Sequence, residues 1–188
     1  MIWAIFMESM QAPIEKTTQN KSILAKVNFP REALVVAGIY QGLFNAGVKL
    51  VILVIALAFM GYFGGWSLLF FPIGIISLVL GGTAIGLLLT PLGMLYTDIS
   101  KAIPLVMQFL MYTTPVVYAV PREGMSSQIV RHNPITPLIM TARDWLTGVE
   151  PEFLNGYLWV NLIIFFLLII VFMAYRLAMP ILIERMNA

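Results

Sequence analysis

Apolar residues run in four long blocks, 34–62, 67–96, 102–120 and 157–175, with polar or proline-bearing breaks between them. A helix needs about 20 mostly apolar residues to cross ~30 Å of hydrocarbon, so each block predicts a membrane span. A fifth apolar piece, Met1 to Met7, is stopped by Glu8 and is too short to cross. It predicts the end of a span whose beginning is missing, or an interfacial anchor with Trp3 and Phe6 among the headgroups. The expected fold is all-α and polytopic: four full transmembrane helices, a partial one over residues 1–10, and short re-entrant or gate helices between the last two spans.

Local signals refine this pattern. The turn from Gly61 to Trp66 is short, uncharged and glycine-rich, which folds the second block antiparallel beside the first. Gly74, Gly81, Gly82, Gly86 and Gly93 predict close helix approach, because in lipid small residues set the contacts. Asp98 and Lys101 mark a brief loop, and Pro104, Pro115 and Pro121 predict a kink or break in the third block. Tyr157 and Trp159 at one boundary of the last block, with Tyr175 and Arg176 at the other, fit an aromatic belt.

The stretch from Ala12 to Ala33 is the one long polar and basic segment near the start, carrying Lys16, Lys21, Lys26 and Arg31 against Glu15 and Glu32. Each exposed charge would cost roughly 2.5–3.5 kcal/mol in hydrocarbon, so the segment stays outside the bilayer. Its cations place it on the cytoplasmic side. With this orientation the inner segments, including the tail 176–188, hold Lys16, Lys21, Lys26, Arg31, Lys101, Arg176 and Arg185; the outer ones hold Arg122, Arg131 and Arg143. The imbalance supports the assignment.

Residues 121–156 are too many for a turn and too polar for a span. Thr136 is placed to cap a helix with Pro137 at its first position, and Gly148 to end it. Ile135, Leu138, Ile139, Ala142, Trp145 and Leu146 recur at helical spacing, leaving Thr141, Arg143, Asp144 and Thr147 to face elsewhere. At 1.5 Å per residue the helix is about 16 Å long and cannot cross. Such a helix beside a proline-broken span fits a lid over a pathway. The plainer alternative is a helix on the outer leaflet with no gating role.

Composition narrows the class. Of 188 residues, 60% are hydrophobic and 11% charged, and the mean hydropathy is +0.92, which fits a polytopic membrane protein rather than a soluble domain. A net charge of +2, with cations gathered at span ends, points to membrane topology and away from nucleic acid. The absence of cysteine removes disulfides and thiol nucleophiles. His132 has no second metal-type ligand near it in sequence, so it reads as a solvated loop histidine. The chain contains no GxxxxGK[ST], GxSxG or HExxH pattern.

Four landmarks in order carry a family resemblance. They are Lys26, Phe29, Pro30, Arg31 and Glu32 leading into a span; Tyr96–Thr97–Asp98–Ile99 between two spans; Thr114–Pro115–Val116–Val117–Tyr118; and Asn133–Pro134–Ile135–Thr136–Pro137 with Arg143 downstream. Together they resemble the permease subunits of type-2 ABC exporters, in the polysaccharide and polyol-phosphate export branch, over nearly the whole chain. The resemblance implies a single transmembrane permease domain in the cytoplasmic membrane, pairing as a homodimer. A separate cytoplasmic subunit would bind ATP and Mg, and a lipid-linked glycan would pass between the permeases. Lys16, Lys21, Lys26, Phe29, Pro30, Arg31 and Glu32 would couple to the ATPase. Asn133, Pro134, Thr136, Pro137, Arg143 and Asp144 would form the outer gate. This chain has no cofactor of its own under that reading. The family's complete first hairpin is represented only by residues 1–10, so the resemblance implies a fragment or a span supplied from elsewhere.

Several residues stand between two readings. Lys49, near the middle of its block, would line the pathway and attract acidic groups, or would snorkel to the inner interface. Gln41 and Asn45 share its helical face, which looks into the protein rather than at lipid. Tyr40, Phe44, Tyr112 and Tyr118 would stack on sugar rings or serve as packing and belt residues. Competing functions are an exporter of a drug or small lipid, and a membrane enzyme acting on lipid-linked sugars through Asp98, Glu123, Asp144 or Glu150. The acids fall on opposite sides of the membrane, which counts against the enzyme.

Overall fold

The computed structural model describes residues 1–20, 32–59, 61, 65–116, 118, 120–121 and 123–187. Among these every regular element is helical: α1 (Ile2–Gln19), α2 (Glu32–Phe59), a 3-10 turn (Gly65–Phe70), α3 (Phe71–Leu95), α4 (Thr97–Thr113), α5 (Met125–His132), α6 (Ile135–Thr147) and α7 (Leu154–Asn187). Three stretches, Glu32–Phe59, Gly65–Leu95 and Leu154–Leu182, are long and apolar enough to cross a membrane. The protein is thus an all-helical membrane protein.

The block expected at 102–120 forms a shorter helix in a shifted frame. α4 has 17 residues, begins at Thr97 and so includes Asp98 and Lys101, which the sequence had suggested for a loop. Tyr96 alone separates it from α3, in an extended conformation. Asp98 in the first turn faces the positive end of the helix dipole, which favours starting there. The helix stops at Thr113 because Pro115 offers no N–H and pushes Thr114 into the extended region.

Helix α3 is the centre of the bundle: 56% of its apolar window is buried, against 11% in α2 and 17% in α7. The exposed faces of α2 and α7, with residues such as Phe44, Ile55, Phe165 and Ile170, suit acyl chains rather than water.

The first apolar piece does not stop at Glu8. It continues through Pro13 to Gln19, so that residues 12–19 are helix and not loop. Packing explains why: α1 lies in a groove between α2 and α3, with Ile5, Phe6, Met10 and Ile14 buried. Glycines make the groove narrow enough. A Cβ on Gly86 would stand 2.1 Å from the Met10 carbonyl oxygen, and one on Gly82 2.6 Å from that of Phe6. Across the groove, Gly38 faces Pro13 and Gly42 faces Ser9. Small residues on two partners therefore let backbones meet from both sides. The hydroxyls of Ser9 and Thr17 donate to the Ile5 and Pro13 carbonyls, so neither is left unpaired against the neighbours.

The bundle has two distinct ends. At one, Leu34 and Val35 of α2, Leu87 and Met94 of α3, and Val171, Tyr175 and Met179 of α7 form a separate apolar cluster. Arg176 Nε pairs with Glu32 Oε1 at 3.2 Å beside it. Lys16, in the last turn of α1, belongs to this end because α1 runs antiparallel to α2. At the other end Phe70, Trp145 and Tyr157 form an aromatic contact chain, with Trp145 edge-on to Tyr157 at 5.1 Å.

The aromatic belt expected around the last span is not what forms. Tyr157 and Tyr175 are buried within the chain, and of the three aromatic residues only Trp159 projects outward. Tyr157 is drawn inward by its hydroxyl, which lies 2.5 Å from Ser77 Oγ on α3.

Candidate gate and pathway residues

The half-length helix α6 packs across α3, with Ala142 and Trp145 at Gly74 and Leu138 at Gly81. Its apolar positions Ile135, Leu138, Ile139, Ala142, Trp145 and Leu146 are all buried, and Gly148 ends it in the left-handed conformation that favours glycine. Burial is wider than the sequence pattern suggested. Thr141 and Asp144 are buried as well, because α3, α7 and the 3-10 turn surround the helix.

Its start differs from expectation. The helix begins at Ile135, ahead of Thr136, because Asn133 Oδ1 accepts the Ile135 N–H at 2.9 Å and so satisfies a free donor of the first turn. Thr136 is no cap: its hydroxyl is buried with no hydrogen-bond partner among the described residues. Pro137 consequently lies at the third helical position, where a missing N–H still costs nothing. Pro134 occupies the position just before the helix.

Two motif stretches distant in sequence meet here. Asn133 Nδ2 donates to Thr114 Oγ1 at 2.9 Å, and Arg143 Nη1 donates to the Pro115 carbonyl at 3.4 Å. The end of α4 is thereby tied to both ends of α6. Tyr118 donates back to the Tyr112 carbonyl at 3.1 Å, which folds the chain after the break onto α4.

Arg143 stands between two unlike spaces. On one side is an apolar cavity of about 160 Å³ lined by Met1, Ile2, Leu53, Val116, Ile139 and Leu146. On the other is a polar cleft of about 510 Å³, whose charged walls are Arg131, Arg143, Asp144, Glu150 and Glu152. Burial pushes the Asp144 carboxyl above the usual carboxylate range, against the opposing effects of the Arg143 guanidinium and an N–H donated by Glu152.

The pathway candidates divide. Gln41, Asn45 and Lys49 are half-buried along one stripe of α2, whereas Tyr40 and Phe44 are exposed at 69% and 72%. Tyr112 and Tyr118 come together at the end of α4, and both are exposed. Lys49 Nζ forms an ion pair with Glu8 Oε1 of α1. Sequence reasoning passed over Glu8 as a chain stop; the available signal was that each of two apolar segments holds a single interior charge, of opposite sign. Of the coupling candidates, Lys16 lies in the last turn of α1 and Glu32 begins α2. Lys21, Lys26, Phe29, Pro30 and Arg31 lie outside the described residues. No protein-family model matches the chain, and no curated protein does.

Proposed function

We propose that the chain is the permease subunit of an ATP-driven exporter that moves a lipid-linked polysaccharide or polyol-phosphate polymer across the cytoplasmic membrane. The observation that carries this reading is the pairing of Asn133 with Thr114: two of the four stretches behind the resemblance, 19 residues apart, are joined by one hydrogen bond. In this reading α6 is the outer lid, re-entrant beside α4, and α4, the proline-broken third block, counts as a crossing in addition to the three long apolar stretches. The Lys16 end faces the cytosol, where a separate subunit hydrolyses ATP; the N-terminal piece and a second permease complete the channel. The opposed placement of Lys16 and α6 at the two ends of the bundle supports that division of labour.

The test is reconstitution in proteoliposomes with a cytoplasmic ATPase subunit of this exporter class. ATP hydrolysis is expected to rise on co-assembly, and a lipid-linked polymer to appear on the far side only with ATP. Scrambling Lys16, Lys21, Lys26, Phe29 and Pro30 is expected to abolish assembly. Unimpaired assembly of the scrambled chain refutes the coupling assignment.

A further inference from the structure

The 510 Å³ cleft beside α6 is in the size range of small-molecule sites, and its chemistry is uneven in a specific way. Among the described residues, three carboxylates, on Asp144, Glu150 and Glu152, face two guanidiniums, on Arg131 and Arg143, an excess of one negative charge. The pairs are loose: Arg143 Nε is 3.8 Å from Asp144 Oδ1, and Arg131 Nη2 is 4.0 Å from Glu152 Oε1. Both separations exceed hydrogen-bond length, so N–H groups and lone pairs remain free for a third party that can both donate and accept. Hydroxyls do both. Val120, Met140 and Val149 add apolar wall for the C–H faces of a ring. Metal binding is the weaker fit, since among the described residues no three acidic or histidine side chains converge as ligands.

We propose that this cleft is a carbohydrate site that takes neutral or amino-bearing sugar units and rejects polyol phosphates. A phosphate entering it would meet guanidiniums already faced by carboxylates, and an excess of like charge. An ammonium group on a sugar gains from Glu150 and Glu152. That such sugars arrive within an exported polymer rests on the exporter reading; the binding itself does not. The site selects between the two cargo classes that reading leaves open.

Saturation-transfer NMR on the full chain in nanodiscs tests it, with maltotriose, the glucosamine trimer and a glycerol phosphate trimer as probes. Both sugars are expected to receive saturation and the phosphate trimer none. Glu150 is exposed, so Glu150→Gln leaves the fold intact; it is expected to weaken the glucosamine trimer about tenfold, the loss of one charge-assisted hydrogen bond. Absence of transfer to either sugar overturns the proposal, as does equal transfer to the phosphate trimer. Sugar signals unchanged in Arg131→Gln/Glu150→Gln overturn it too. Sugar binding in a chain that neither joins nor stimulates an ATPase removes the exporter reading and leaves the site; ATP-driven export without sugar contact does the reverse.

Discussion

Glu8 of α1 and Lys49 of α2 form an ion pair within the apolar body of the bundle, at side-chain exposures of 40% and 22%. Neither charge could remain at that depth unaccompanied at low cost. The pair explains how a helix carrying Glu8 lies among spans, and it turns the Lys49 stem toward α1.

Lys49→Met is expected to destabilise the fold by about 2.5–3.5 kcal/mol, the cost of an unaccompanied charge in hydrocarbon. Adding Glu8→Gln should recover most of that loss, because both partners are then neutral. SDS titration of the purified variants in mixed micelles measures both. A double variant no better than the single one would show that the pair is not the reason.

The glycine groove gives a contrast within one pair of helices. Gly86→Ala brings a methyl group onto backbone and is expected to cost about 1–3 kcal/mol as overpacking. Gly47→Ala on α2 meets nothing within 4 Å and is expected to be neutral or to stabilise by up to about 1 kcal/mol through helix propensity. Thermal unfolding of the two variants side by side reads the difference.

Asn133 has two separable jobs. Asn133→Ala loses both the cap on Ile135 and the link to Thr114, for an expected loss of about 2 kcal/mol. Asn133→Asp keeps the acceptor for Ile135 and loses only the donor to Thr114, so roughly half of that loss is expected. Hydrogen exchange at the start of α6 separates the two: protection should fall sharply in the alanine variant alone.

Asp144 predicts a pH dependence. Its folded value is raised by burial, so its contribution favours the native state fully below the ordinary carboxylate value and is lost as pH rises through the raised one. Asp144→Asn removes that limb. The unfolding midpoint of wild type relative to the variant should therefore fall as pH rises above about 4. A constant difference across that range would contradict the assignment.

What the sequence made legible followed from periodicity. The buried face of α6, its glycine stop and the apolar spans all repeat a pattern that local spacing reveals. The Thr136 cap was misread because Asn133 reaches the first N–H two residues earlier, a choice between two good capping side chains that spacing does not make. The full length of α1 was hidden because Glu8 reads as a stop until its partner on another helix is known. The charged cleft was equally hidden, since Arg131, Arg143 and Glu152 converge only once α5, α6 and the following loop are folded.

The narrow seat of α1 also decides what kind of displacement the helix can make. With Gly82 and Gly86 against one flank and Gly38 and Gly42 against the other, rolling about its axis would press different side chains, such as Met7 and Gln11, onto backbone that only glycine leaves open. The helix is keyed like a splined shaft, held at one rotational setting by backbone on both flanks, with Met1 at the small cavity beside Arg143 and Lys16 at the opposite end.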